Sequence, residues 1–427
     1  MTIQAAAILA AVVFVYSLGS AELARRWISG PLVFTLAGLA LGPWGLDLVG
    51  GEFGEGGVEI LAEATLVLIL FADATRIDLR VLRRQTTLPV RLLGIGLPLT
   101  VLAGAVVAVL LFSGDLTWWE AVLIGAILAP TDAALGQAVV SNPRVPVRVR
   151  QALNVESGLN DGIMLPAVTI LTAVAAADAG LDSSGALARF VAEQIGFGLL
   201  VGVVVGCAGG YLLDTSISRG WVDGVMRQLA TLAVAVGAFG LAHEIGGNGF
   251  VSAFVAGMAF GYVAGDHCES AADFTEDEGQ LLALLTFLFF GALLLGPRIG
   301  DLDLTTVLYG VLSLTVVRMV PVALSVVGVG LERPTIAYLG WFGPRGLASI
   351  LFGLFVIEEA ELAGGEIILD VMAATVLLSI VAHGLSAVPL ADRYADWFGS
   401  MMDDDEDGAD MPEAEAVDEM RARTGPR

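Results

Sequence analysis

Long apolar runs, separated by short charged loops, recur from one end of the chain to the other. The first is 3-IQAAAILAAVVFVYSLGS-20. A membrane-spanning helix needs about 20 mainly apolar residues, fewer where it is broken or supported by neighbours. On that criterion thirteen candidate spans occupy residues 4–22, 30–43, 57–75, 87–113, 119–141, 148–176, 189–214, 226–243, 248–264, 279–296, 304–331, 335–358 and 367–397. The pattern predicts an all-α polytopic membrane protein. The first run lacks a basic n-region and a small-residue cleavage site, so it reads as a retained span and not a signal peptide.

Composition agrees. The 427 residues are 56% hydrophobic and 15% charged, with mean hydropathy +0.81, against about 25% charged in soluble domains. All 21 basic residues are arginine. Arg25 and Arg26 follow span one, and Arg76, Arg80, Arg83 and Arg84 follow span three. Arg144, Arg148 and Arg150 follow span five, Arg219 and Arg227 span seven, and Arg333 span eleven. Even-numbered exits carry only Arg189 and Arg298. The positive-inside rule then puts the odd exits in the cytoplasm, the N-terminus outside and the C-terminus inside. The loop 265-GDHCESAADFTEDE-278 lies inside without an arginine, but acidic residues weigh little in orientation. Much of the net charge of -24 sits beyond residue 398. Residues 399–427 are therefore expected to form an acidic, disordered cytoplasmic tail. Cys207 and Cys268, like His243, His267 and His383, are too scattered for a disulfide framework or a zinc site.

Two spans are interrupted at their centres. Span five reads 121-AVLIGAILAPTDAALGQAVV-140, where Pro130 cannot donate the helical hydrogen bond and Thr131 and Asp132 follow. Span twelve reads 335-TIAYLGWFGPRGLASILFGL-354, with Gly343, Pro344, Arg345 and Gly346 at its centre. Either proline alone could be an ordinary kink. Helices broken at corresponding places, seven spans apart, point to a midplane site in an inverted-repeat transporter.

Span six holds 154-NVESGLNDGIMLP-166. On a helix Glu156 and Asn160 share one row and Ser157 and Asp161 another, about 100° apart, so together they form one polar wedge. Gly158 and Gly162 would let a neighbouring helix approach closely. Interhelical glue accounts for Ser157 and Asn160, but not for two carboxylates. Carboxylates, hydroxyls, an amide oxygen and freed backbone carbonyls are hard ligands suited to a hard cation. Desolvation favours the neutral form of a carboxylate, so one such group can hold either a proton or a cation. Competition between the two at a site that faces each side in turn suffices for antiport. Asp161 is the expected competing group, with Asp132 its neighbour. Arg345 needs a partner at the midplane, and Glu156 is the expected one, as a structural pair. Arg318, in 311-VLSLTVVRMVP-321, has no partner that the sequence identifies. A cation channel would need a continuous pore and no strict competition between ions. A hydrolase would need a base near Ser157, and no such motif is present.

The segments 130-PTDAALG-136, 156-ESGLNDG-162 and 343-GPRG-346 resemble those of the NhaP-type sodium/proton antiporters of the cation:proton antiporter superfamily. The likeness extends through 69-ILFADATRIDLRVLRR-84, 246-GGNGFVSAFVAGMAFG-261 and 380-IVAHGLSAVPLADRYADW-397. It implies about thirteen spans in two inverted repeats, with the two broken helices crossing near the midplane. A moving core of 87–176 and 304–397 would work against dimerisation helices at 4–75 and 226–296, joined by a linker helix at 189–214, within a membrane domain of 1–398. It also implies sodium held by Asp161, Asp132, Ser157 and Thr131, with Asn160 paired to Asp161 and Glu156 to Arg345. Asn160, where electrogenic relatives carry aspartate, implies electroneutral exchange. Ala133 departs from the proline that many members carry. Asp73 and Asp78 are expected to be solvated or paired with Arg76 and Arg80. No cofactor and no nucleic-acid partner are expected; the expected partners are a monovalent cation, protons, the lipid bilayer and a second copy. Potassium is the rival substrate.

Overall fold

The computed structural model describes residues 3–49, 55–75, 87–178, 184–265, 269–404 and 411–414. Every regular element among them is helical. The helices are α1 (Ile3–Arg25), α2 (Gly30–Leu41), α3 (Glu55–Thr75), α4 (Thr87–Leu111), α5 (Trp118–Ile127), α6 (Ala133–Val140) and α7 (Val147–Asp178). There follow α8 (Ser184–Ser218), α9 (Gly224–Glu244), α10 (Gly249–Ala264) and α11 (269–298). The last are α12 (Leu304–Ser325), α13 (Arg333–Trp341), α14 (Leu347–Glu359) and α15 (Gly365–Asp404). Each predicted span coincides with one helix or, for spans five and twelve, with two half-helices: α5 with α6 and α13 with α14; α12 is bent at Thr315. Eight of the described helices are individually long and apolar enough to cross a bilayer.

Prolines explain the local irregularities. Five-residue and six-residue π-turns at Leu92–Gly96 and Phe290–Leu295 immediately precede Pro98 and Pro297. A widened turn gives room to a ring that has no N–H and would clash with the preceding carbonyls. Helix α5 starts on a capping box: Thr117 accepts from the Glu120 N–H, and Glu120 accepts from the Thr117 N–H. The other Glu120 oxygen accepts from the Gly364 N–H at 2.7 Å, tying the start of α5 to the α14–α15 connection.

Packing divides the helices into two groups. One contains α2, α3, α8, α9, α10 and α11; the other contains α4–α7 and α12–α15. The two meet where α7 touches α3, α8 and α10, where α14 touches α3 and α11, and where α15 touches α2 and α11. Helix α1 is peripheral, with 6% of its apolar window buried, whereas α15 is central, with 67% buried. Outward-facing Phe14, Leu18, Leu110, Leu200 and Tyr211 present an apolar surface suited to lipid.

The most extensive contact is between α8 and α10. Gly198, Gly202, Gly206 and Gly210 line one face of α8, and a Cβ on each would stand 2.9, 2.7, 2.4 and 3.1 Å from the carbonyl oxygens of Asn248, Ser252, Ala256 and Phe260. The opposite side of α10 repeats the device: Gly257 and Gly261 lie against the Phe71 and Thr75 carbonyls of α3. Without a hydrophobic driving force in lipid, such small-residue seams let backbones approach and gain dispersion contacts. Of the two glycines in the polar wedge, Gly162 admits the Phe254 ring of α10, whereas Gly158 faces open space. The expectation of close helix approach thus holds at one glycine and not the other.

The C-terminal region departs from a tail disordered from residue 399. Helix α15 continues to Asp404, and Pro412–Ala414 forms a 3-10 turn. Glu413 is buried and accepts from the Glu332 N–H at 2.8 Å; Arg148 donates to the Pro412 carbonyl at 2.5 Å. One backbone donor, the Glu332 N–H, meets Oε1 of this carboxylate, where composition alone predicts solvent. The expectations for Arg76, Asp78, Arg80, Arg83, Arg84, His267 and Cys268 fall outside the described residues.

Gly206→Leu should prevent accumulation of folded, monodisperse protein in detergent, while Gly237→Leu, at a position with open space around it, should not. Size-exclusion chromatography of the two variants checks this.

Candidate functional site

The first break follows from Pro130. Helix α5 closes with the Leu128 N–H on the Ile124 carbonyl, and residues 129–132 leave the helix before α6 begins. The carbonyls of Ala129 and Pro130 therefore lack helical donors. The second break spans residues 342–346, between α13 and α14. The two breaks meet and satisfy each other. The Asp132 N–H donates to the Pro344 carbonyl at 2.8 Å. The Asp132 carboxylate accepts from the Leu135 N–H at 3.2 Å through Oδ1 and from the Leu347 N–H at 2.7 Å through Oδ2. One carboxylate thus caps the first turns of both α6 and α14, where orphan donors and positive dipole ends concentrate. In return Arg345 Nη1 donates to the Ala129 and Pro130 carbonyls at 2.8 and 3.2 Å.

Each residue of the Gly-Pro-Arg-Gly stretch has a separate role in this crossing. A Cβ at Gly343 would lie 2.3 Å from Arg318 Nε, and a Cβ at Gly346 would lie 2.0 Å from Asp132 Oδ2. Both glycines are needed because charged side chains occupy the space. Pro344 supplies a carbonyl and Arg345 a guanidinium.

The polar wedge of α7 lies beside the crossing. Thr131 Oγ1 and Ser157 Oγ are 3.0 Å apart, and Asn160 Nδ2 donates to Thr131 Oγ1 at 2.7 Å. Thr131, Asp132, Glu156, Ser157, Asn160 and Asp161 are all buried. Asn160 Oδ1 has no hydrogen-bond partner among the described residues. A narrow cleft reaches Asp132 and Ser157 and is lined also by Gly136, Asn154, Phe342 and Pro344. Its lining residues Val140 and Asn154 place it on the side of Ser157 towards the α6–α7 connection. The structure therefore gathers Thr131, Asp132, Ser157 and Asn160 at one place. Asp161 lies one helical turn beyond Ser157 on the same face of α7.

The Glu156–Arg345 pair does not form. Glu156 is held instead by Arg318 of α12 through a bidentate pair at 2.5 and 2.8 Å, with both side chains 1% exposed. Arg318 Nη2 also reaches the Leu339 carbonyl of α13 at 3.4 Å. The physical reason is that Arg345 sits in the break itself, where freed carbonyls of α5 are within reach. Arg318 lies on α12 just past an irregular turn at Thr315, and its guanidinium is the one that reaches Glu156. The fork-to-fork geometry is the strong form of such a pair, yet desolvation of both charges keeps its net contribution small.

Residues that sequence reasoning did not select also belong to this region. Ser379 and His383, one turn apart on α15, bind the backbone of the second break. Their shared helical face was the only available signal.

Breaking the buried pair should be costly and replacing it should not. Arg318→Ala should lower stability by about 3–5 kcal/mol by stranding the Glu156 charge, and an apolar replacement of both partners should recover most of that loss. Thermal unfolding in detergent of the single and double variants checks this.

Comparison with known proteins adds an independent line. A family model described as "Sodium/hydrogen exchanger, transmembrane" matches residues 8–393. The K(+)/H(+) antiporter NhaP2 of Shewanella sp. (strain ANA-3) is 25% identical over 356 residues, covering 81% of this chain and 61% of the relative. The Na(+)/H(+) antiporter ApNhaP of Aphanothece halophytica is 27% identical over 403 residues, covering 90% of this chain and 74% of the relative. The chain thus spans about three-fifths of the length of the NhaP2 relatives it matches. The solved sodium proton antiporter MjNhaP1 from Methanocaldococcus jannaschii shares the fold, with TM-score 0.75 at 20% identity over 92% of this chain and 99% of that one.

Proposed function

This chain belongs to the sodium/hydrogen exchanger family, a family of secondary transporters and not of enzymes, and on that premise we propose that it exchanges a monovalent cation for a proton across the plasma membrane. The observation that carries the reading is the meeting of two helix breaks beside the polar wedge of α7. It creates a buried set of hydroxyl, amide and carboxylate oxygens next to a cleft, which is the ligand chemistry of a hard cation. Sodium is the first substrate proposed, bound by Asp161 with Thr131, Ser157 and Asp132. Potassium is the second reading, favoured by the activity named for the NhaP2 relatives.

Charge sets the stoichiometry in this proposal. The buried constellation holds three carboxylates (Asp132, Glu156, Asp161) and two guanidinium groups (Arg318, Arg345). Fully ionised, it carries one net negative charge. One monovalent cation or one proton neutralises it, so the two replace each other one for one and exchange is electroneutral. Asn160 keeps that balance, because an aspartate there would add a second ionisable group. It also holds Thr131 in place through its amide.

Alternating access follows from the division of the packing. Residues 87–176 and 304–397 move as the core, carrying the site past helices of 4–75 and 226–296, which form the homodimer contact. The 189–214 segment links them and travels with α10, because the glycine seam binds α8 to it. The N-terminus faces outward, the C-terminus faces the cytoplasm, and the region of 399–427 includes a turn held against Glu332.

The test is proton efflux from acid-loaded proteoliposomes on adding sodium, potassium or lithium. Sodium should drive efflux at a rate independent of an imposed membrane potential, and Asp161→Asn should abolish it. Efflux with potassium alone would move the assignment to the second reading. Efflux that survives in Asp161→Asn would contradict the role given to that carboxylate.

A further inference from the structure

The second break turns two backbone groups towards α15: the Trp341 carbonyl, which also accepts from the Gly343 N–H at 2.8 Å, and the Arg345 N–H just before α14. Both are met by one face of α15. The Arg345 N–H donates to Ser379 Oγ at 2.7 Å. Ser379 Oγ and His383 Nδ1 are 3.2 Å apart, and His383 Nε2 lies 2.9 Å from the Trp341 carbonyl oxygen. A carbonyl can only accept, so Nε2 carries a proton and donates to Trp341. Nδ1 faces two oxygens of Ser379, Oγ at 3.2 Å and the carbonyl oxygen at 3.1 Å; with the ring neutral it accepts from the hydroxyl, which in turn accepts from the Arg345 N–H. The result is a closed polar strap from one side of the break to the other. Trp341 also packs on the imidazole, with ring centroids 5.1 Å apart, and its indole N–H donates to Ser386 Oγ at 3.0 Å.

We propose that His383 is a positioning residue for transport: through Ser379 it fixes the Trp341–Arg345 bend, and so fixes the Pro344 carbonyl and the Leu347 N–H that hold Asp132 at the cation site. The proposal rests on the cation/proton exchange reading above. Removing the strap frees the bend to shift, which blurs the ligand geometry without removing a ligand. The effect should therefore appear in apparent cation affinity before it appears in turnover.

The experiment is cation-driven proton exchange in proteoliposomes with wild type, His383→Phe, His383→Gln and Ser379→Ala. His383→Phe should raise the apparent KM for the driving cation about tenfold, the factor that about 1.4 kcal/mol represents, with kcat changed far less. Ser379→Ala should shift KM in the same direction. His383→Gln, which can both donate to Trp341 and accept from Ser379, should return KM to near wild type. If His383→Phe does not fold, Ser379→Ala, which removes a single hydroxyl, carries the comparison. An unchanged KM in His383→Phe and Ser379→Ala overturns the inference, as does a glutamine variant no better than phenylalanine. Absence of exchange in wild type would instead overturn the functional reading on which it rests.

Discussion

The structure depends on the mutual satisfaction of two broken helices. Inside a bilayer no water is available for orphaned backbone groups, so an interrupted helix survives only if protein supplies the missing partners. Here each break supplies the other. Asp132 caps the starts of both α6 and α14, and Arg345 serves the carbonyls that Pro130 leaves without donors. The arrangement needs opposite charges at the two positions, because helix starts attract anions and freed carbonyls attract cations. It also needs glycine at 343 and 346, where any side chain would displace Arg318 or Asp132.

From that constraint the rest of the site follows. The crossing holds Thr131 against Ser157 and Asn160 of α7. The Glu156–Arg318 pair fixes α7 to α12 at the same depth. Behind the crossing α15 satisfies the remaining backbone groups through Ser379 and His383. Asp132 and Glu156 thus each have protein donors of their own, which leaves Asp161 as the carboxylate proposed to change occupant without dismantling the core.

Much of this was legible because the signals are local. Apolar run length marked the helices, Pro130 and Pro344 marked the breaks, and the i,i+4 pairs Glu156/Asn160 and Ser157/Asp161 marked the wedge. What was not legible depends on contacts between distant segments. Glu156 faced two arginines of similar apparent depth, Arg318 and Arg345, and only the three-dimensional path of α12 decides between them. The four-residue spacing of Gly198, Gly202, Gly206 and Gly210 is visible in the chain, but its partner, the carbonyl row of α10, is not. Glu413 is a third case: composition assigns an acidic tail to solvent, whereas burial of one carboxylate was decided by a backbone donor at Glu332, more than eighty positions away.

The central claim is that a cation and a proton compete for one buried charge. Cation binding measured by titration calorimetry in buffers of different ionisation enthalpy tests it without transport. At a pH where the site is protonated, the account predicts release of about one proton per cation bound, and no such release in Asp161→Asn. Cation binding with no proton release in the wild type would contradict it.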